Sequence, residues 1–306
     1  MPIKRDFLSV ADFSPQETRQ LIRRARQMKA ETAGLPLQGK HVALLFEKPS
    51  LRTRVSFQVG VQELGGYSLY LSPQEVGLGS REPVSDVARV LCGYVDCIVA
   101  RVNSHQSLVE LARYSSVPVV NALSDWEHPC QIMADLLTIN EQVGELDGLK
   151  LAYIGDGNNV ARSLCLALPA LGANFAIASP EGYNLDEASL QQARQGASRG
   201  PTAVFALRDP VQAVRDADVV YTDVWTSMGN EAETEARLRA FQGYTVDPKL
   251  LAQAKPQAKF MHDMPAHYGE EVPPGMLEHP QSVAYPQAHN RLHAQKAVLE
   301  FLLHDR

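Results

Sequence analysis

Short β-rich runs alternate with stretches of helical periodicity along almost the whole chain. This is the pattern of parallel sheets whose strands are joined by crossover helices, and it fixes the class as α/β. In the first half, residues 41–46, 97–102 and 117–121 read as strands. Between the first two, Val55, Val59 and Gln62 recur at helical spacing beside Phe57, Val61 and Leu64, and Gly65 and Gly66 supply a stop. A helix is predicted over 129–143, with Pro129 in its first turn and Ile132, Met133, Leu136, Leu137 and Ile139 on its buried side. A second series of strands is predicted at 149–154, 174–178, 203–207, 218–222 and 258–262. The stretch 288–303 reads as a helix that returns to pack on the first domain.

At 306 residues a single core has usually stopped growing, so two α/β domains are expected. Their predicted extents are 1–136 together with 287–306, and 137–286. No flexible linker separates them, which places the join inside the 129–143 helix. Open parallel sheets bind ligands beyond the carboxyl ends of their strands, so the active site is expected in the interdomain cleft.

Composition removes several classes of partner. The formal net charge is −6 and no dense basic block occurs, which argues against a nucleic acid. Apolar runs are strand length, far short of a bilayer span, so no membrane segment is expected. The charged start Lys4-Arg5-Asp6 is not followed by a secretory apolar region, and the expected location is cytoplasmic. Cys92, Cys97, Cys130 and Cys165 form no C-x-x-C pair, so neither structural disulfides nor a structural metal is expected.

Five segments could carry chemistry. In Glu47-Lys48-Pro49-Ser50-Leu51-Arg52-Thr53-Arg54, a helix start supplies unpaired N–H groups and the positive end of a dipole. Ser50 and Thr53 add hydroxyls and Arg52 a fork suited to phosphate, although Ser50 as a plain helix cap is the simpler reading of that segment alone. In His128-Pro129-Cys130-Gln131, the imidazole can donate to a polarised carbonyl oxygen and Gln131 can meet a carboxamide. Zinc on His128 and Cys130 lacks further ligands at useful spacing. Asp223, at a strand end, is placed to meet a cationic amino group, and Ser227 to bond an amino acid head group. In His262-Asp263-Met264-Pro265-Ala266-His267, Pro265 prevents a continuous helix from aligning the two histidines on a metal. Arg291, in Asn290-Arg291-Leu292-His293, reaches into the cleft or is a surface charge.

Taken in order, these segments resemble the aspartate and ornithine carbamoyltransferase superfamily over nearly the whole chain. The resemblance rests on S-x-R-T-R at Ser50 to Arg54, Arg101 at a strand end, and H-P-x-Q at His128. It rests also on G-D-G-N-N at Gly155, D-x-x-x-S-M-G at Asp223, and N-R-L-H at Asn290. The S-M-G segment marks ornithine rather than aspartate as acceptor. The resemblance implies a first domain for carbamoyl phosphate, a second for the amino acid, transfer to the δ-amine of L-ornithine giving citrulline and phosphate, and a place in arginine metabolism. It implies a homotrimer or a multiple of trimers, and neither a metal nor an organic cofactor. Carried over by residue, it places Ser50, Leu51, Arg52 and Thr53 on the phosphate, and Arg101, His128 and Gln131 on the carbamoyl group. Asp263, Met264 and Arg291 complete the carbamoyl phosphate site, and Asn159, Asp223, Ser227 and Met228 hold ornithine. Arg101, His128, Asp263 and Arg291 are the implied catalytic residues.

Two positions depart from that pattern. Relatives usually read H-C-L-P where this chain reads His262-Asp263-Met264-Pro265, so a carboxylic acid of reference pKa about 3.9 replaces a thiol of about 8.5. Activity with altered acceptor affinity and pH dependence is the expectation. Gly77 stands where many relatives carry a Gln or His that reaches a neighbouring subunit's site, and Arg81 is the local candidate for that task. The rival readings are a nicotinamide or flavin oxidoreductase and a catalytically silent binding protein. The first is weakened by Val160 in place of the third glycine after Gly155-x-Gly157. Putrescine, lysine or an N-acylated ornithine are the alternative acceptors.

Overall fold

The protein is described from a computed structural model over residues 4–31, 34–197, 202–227 and 231–303. The chain divides into two units, Met1–Leu137 with His289–Arg306, and Thr138–Ala288. Among the described residues no helix is long and apolar enough to cross a membrane.

In the first unit the order is α1 (Pro15–Ala30), β1 (His41–Phe46), α2 (Leu51–Glu63), β2 (Tyr67–Leu71), α3 (Pro73–Val76), α4 (Val84–Leu91), β3 (Cys97–Arg101), α5 (His105–Tyr114) and β4 (Val119–Leu123). It continues into α6 (Pro129–Gln142), which runs on into the second unit. The four strands are parallel in the order β2-β1-β3-β4. Residues Val42 to Phe46 of β1 and all of β3 are buried, as parallel strands covered on both faces require.

Three differences from the sequence expectation have local causes. The strand expected at 117–121 starts two residues later, because Pro118 has no N–H to give a ladder. β2 was not expected. It is a sheet edge with most of its side chains half-buried or exposed, so it lacks both a continuous apolar run and a clean alternation. On α2, Phe57, Gly60 and Val61 face inward while Val55 and Val59 are exposed, so only one of the two periodic rows belongs to the core.

The second unit holds β5 (Lys150–Ile154), α7 (Asn159–Ala170), β6 (Asn174–Ala178), α8 (Glu187–Gly196), β7 (Val204–Leu207), α9 (Pro210–Val214), β8 (Val219–Thr222), α10 (Thr234–Ala240), α11 (Pro248–Leu251) and β9 (Lys259–His262). Its five parallel strands run β7-β6-β5-β8-β9 over a core that includes Ile154, Val220, Phe260 and Met276. The last helix, α12 (Ala284–Leu303), starts four residues before the predicted 288, with Pro286 tolerated in its first turn.

From His289 onward α12 belongs to the first unit. Glu300 receives both arms of Arg24 at 2.6 and 2.7 Å, and the rings of Phe13 and Phe301 meet edge to face. A Cβ on Gly60 of α2 would lie 3.2 Å from Cγ of Lys296, so a glycine here allows the two helices to come close. Lys296 then reaches Glu63 at 2.6 Å.

In both sheets the strand order reverses, between β1 and β3 in the first unit and between β5 and β8 in the second. Loops leaving neighbouring strands at such a point diverge and open a crevice at their carboxyl ends. The segment from Glu47 follows β1 and Arg101 ends β3, while Gly155 follows β5 and Asp223 follows β8. The motifs therefore stand where each sheet is built to receive a ligand.

Candidate active site

The first unit assembles donors. Ser50 caps α2, its hydroxyl accepting from the Thr53 N–H at 3.4 Å, so the S-x-R-T-R segment is the first turn of the helix rather than a loop ahead of it. The Leu51 side chain is 76% exposed, leaving its backbone N–H as the group that can serve an anion. Arg52 is half-buried in the same turn, whereas Arg54 lies over the Tyr70 ring at 3.6 Å. The Glu47 carboxylate accepts from the Asn103 N–H at 2.6 Å, tying the turn after β1 to the turn after β3.

Arg291 is buried, which excludes the surface-charge reading. Its guanidinium donates to the Thr53 hydroxyl at 3.0 Å and to Oε1 of Gln131 at 2.5 Å. Nε2 of Gln131 in turn donates to Asp135 at 2.8 Å. Gln131, expected on a carboxamide, thus also braces Arg291. Arg101 and His128 are buried as well. Burial, then the charges of Arg291 and Arg101, hold the His128 imidazolium pKa well below the usual histidine range. The ring is neutral at pH 7, a donor through one nitrogen only. Burial also pushes the Cys130 thiol up to about 12, so it stands protonated beside His128.

Arg81 is exposed and its guanidinium donates to the Glu75 carbonyl at 2.9 Å. Gly77 ends α3 in the left-handed region at φ 55°, and a Cβ there would come within 2.6 Å of Cβ of Arg81. Both the left-handed backbone and the contact with the Cβ of residue 81 favour glycine at 77 in this turn.

The second unit assembles acceptors. Asp223 is buried after β8, with Oδ1 accepting from the Val224 N–H at 2.7 Å and Oδ2 from Nδ2 of Asn158 at 2.6 Å. Asn159, the first residue of α7, turns its side-chain oxygen to the Val160 N–H at 3.0 Å. Ser227 is half-buried four residues beyond Asp223, and Met228 lies outside the described residues. Arg237 braces the intervening segment, donating to Asp156 at 2.8 Å, to the Trp225 carbonyl at 3.0 Å and to Glu233 at 3.0 Å. Burial raises the Asp156 carboxyl pKa and the Arg237 charge opposes that rise.

Asp263 follows β9. Side-chain atoms of Asp223, His262 and Asp263 lie within 4.8 Å of one another, so the two carboxylates converge. His262 is fully buried, and its Nδ1 accepts from the Met264 N–H at 2.9 Å. Its other nitrogen, 3.2 Å from Glu271, therefore carries the proton. Met264 sits at φ 61°, a left-handed conformation rare outside glycine. Asn158, Arg237 and Asp135, the partner of Gln131, take part in these contacts without standing out in the sequence; for Asn158 the doubled asparagine is the one local signal.

In the turn after β5, a Cβ on Gly157 would lie 2.4 Å from the Leu185 backbone nitrogen. This glycine is required by close packing, which removes its weight as a dinucleotide signature.

The first unit thus presents a donor-rich turn at the switch point of its sheet and the second a carboxylate pair at the strand ends of its own, and comparison with known proteins identifies the class as a transferase. The chain matches the carbamoyl-P binding domain of aspartate/ornithine carbamoyltransferases over residues 5–141 and the Asp/Orn binding domain over 147–302, and it belongs to that family. It is 50% identical to the ornithine carbamoyltransferase of Thermococcus kodakarensis over 303 residues, 98% of this chain and 96% of the relative. The solved ornithine carbamoyltransferase of Pyrococcus furiosus superposes with a TM-score of 0.95 at 47% identity, covering 99% of this chain and 98% of that one. The Thermus thermophilus enzyme gives 0.89 at 45%, covering 98% and 99%.

Proposed function

We propose that the chain transfers the carbamoyl group of carbamoyl phosphate to the δ-amine of L-ornithine, giving L-citrulline and phosphate. The observation that carries this reading is the pairing of full-length likeness to ornithine carbamoyltransferases with a site of matching polarity. Arg101, His128 and Arg291 are buried donors beside the start of α2, and Asp223 is a buried acceptor in the second unit. In this reading the phosphate rests on Ser50, the Leu51 N–H, Arg52 and Thr53, and the carbamoyl group on Arg101, His128 and Gln131. Asp223, Asn159, Ser227 and Met228 hold the amino acid end of ornithine.

The neutral δ-amine attacks the carbonyl carbon, and the oxyanion that forms is met by donors fixed beforehand on Arg101, His128 and Thr53. Collapse of the intermediate breaks the bond to the phosphate oxygen. The leaving phosphate stays among the α2 donors, and its own oxygens can take the amine proton, so the scheme needs no separate protein base. Asp263, placed with carbamoyl phosphate by the family resemblance, stands beside Asp223 and acts in this reading on the acceptor's charge.

A homotrimer in the cytoplasm accompanies this proposal. Leu51, Val55 and Val59, at helical spacing on α2, are exposed apolar side chains available to a second copy, as are Tyr67 and Leu69 on β2. Activity recovered on mixing Arg81→Ala with Arg52→Ala subunits supports a shared site, and no recovery refutes it. The decisive assay is citrulline formation with L-ornithine beside putrescine, lysine and N-acetylornithine. Product with ornithine alone establishes the reading, and product only with another amine transfers it to that acceptor.

A further inference from the structure

For Asp223 to hold an ammonium group, its carboxylate has to be both ionised and aimed. One of its oxygens is fixed by backbone, through the Val224 N–H at 2.7 Å. The other is fixed by a side chain, Nδ2 of Asn158 at 2.6 Å. A side-chain amide can turn over and present oxygen in place of nitrogen, which here would set two acceptors against each other.

Three donors oppose that flip. Oδ1 of Asn158 accepts from the Val160 N–H and the Ala161 N–H, both at 3.0 Å, as the cap of α7. It accepts also from the Tyr153 hydroxyl at 3.3 Å. Tyr153 lies fully buried in β5 and stacks on Tyr221 of the neighbouring strand. Burial and the charges of Asp223, Asp263 and Asp156 push its phenol well above the ordinary range, so its proton stays on and it remains a donor.

We propose that Asn158, oriented by Tyr153 and by the first turn of α7, is a positioning residue that holds Asp223 in register for the acceptor's ammonium group. The inference rests on the reading of Asp223 as the acceptor's ligand. It assigns to the first asparagine of the Asn158-Asn159 pair a task separate from substrate contact: one amide ties a helix cap, a strand tyrosine and a binding carboxylate together.

Asn158→Asp tests this directly, because aspartate also caps helices well and keeps the size of the side chain while replacing the donor with an acceptor. The expected result is a KM for ornithine raised at least about tenfold, with the KM for carbamoyl phosphate within about twofold of wild type. A merely structural role would lower the active fraction and leave the ornithine KM unchanged. Tyr153→Phe preserves the core shape and removes only the hydroxyl, and it carries the test if the first variant does not fold. An ornithine KM raised about threefold with carbamoyl phosphate unaffected is expected there. An ornithine KM within about twofold of wild type in Asn158→Asp, or equal rises for both substrates, overturns the inference while leaving the function intact. Wild-type protein that forms no citrulline overturns the functional reading and this inference with it.

Discussion

The Arg291 guanidinium donates to the Thr53 hydroxyl at 3.0 Å across 238 positions of sequence. The same group donates to Gln131, so the first turn of α2 and the start of α6 are both braced by one side chain of α12. A group so held is fixed before substrate arrives, and preorganised donors are most effective in that state. Arg291→Met is expected to lower kcat by about 10²-fold or more, and Arg291→Lys to recover only part, since an ammonium cannot supply the fork. Steady-state kinetics on both variants check this, and a kcat within a factor of about three of wild type contradicts it.

His128 provides a pH signature in stability. Its folded-state pKa lies below the unfolded value of about 6.5, so below that pH the unfolded chain takes up a proton that the folded chain does not. Stability from this residue is therefore present above about pH 6.5 and is lost as pH falls, with a limiting slope of about 1.4 kcal/mol per pH unit. Urea unfolding of wild type and His128→Asn between pH 5 and 7 should show the shallower dependence in the variant. Parallel curves count against it.

Asp263 stands beside Asp223, the residue that on the proposed function holds the acceptor's amino group. Two carboxylates favour the ammonium form, so a higher pH is needed to free the attacking amine. Asp263→Cys is expected to shift the rising limb of kcat at saturating ornithine toward lower pH, since kcat reports groups in the bound complex. A profile superimposable on wild type eliminates this role.

Arg237 and Asp156 form an ion pair in which both side chains are largely buried. Removing only the cation leaves a buried carboxylate, which typically costs about 3–5 kcal/mol. Arg237→Met should therefore unfold at markedly lower denaturant, and adding Asp156→Asn should restore part of the loss. Chemical denaturation across the double-mutant cycle measures the coupling, and additive effects argue against it.

The core strands of the second unit were legible because each is a short apolar run bounded by turns. β6 was read from Asn174 to Ala178 as it stands. β2 was not, since an edge strand such as Tyr-Ser-Leu-Tyr-Leu carries no alternation imposed by a core. α1 also went unread, although Ser14, Pro15 and Glu17 form a capping box and an N-terminal proline that mark its start. At the site, Arg101, His128 and Asp223 stood out because strand ends and helix starts are where ligands meet backbone. Whether Arg291 faced inward depended on Thr53 and Gln131, and no local pattern encodes partners that distant. The role of Asn158 is hidden for the same reason, since its partner Asp223 lies 65 positions on, just after β8.

The first unit is assembled from two separated stretches of chain, while the second is a single run from Thr138 to Ala288. The last strand of the second unit, β9, is synthesised well before Arg291, so the strands of that sheet are all made while the first unit still lacks its final helix. A nascent chain in that interval has Asp223 and its supporting amide in place but lacks the guanidinium that braces Thr53. On the proposed function, completion of the donor side is thus deferred to the closing moments of synthesis, and a product truncated before Arg291 would keep Asp223 while lacking the group that braces Thr53.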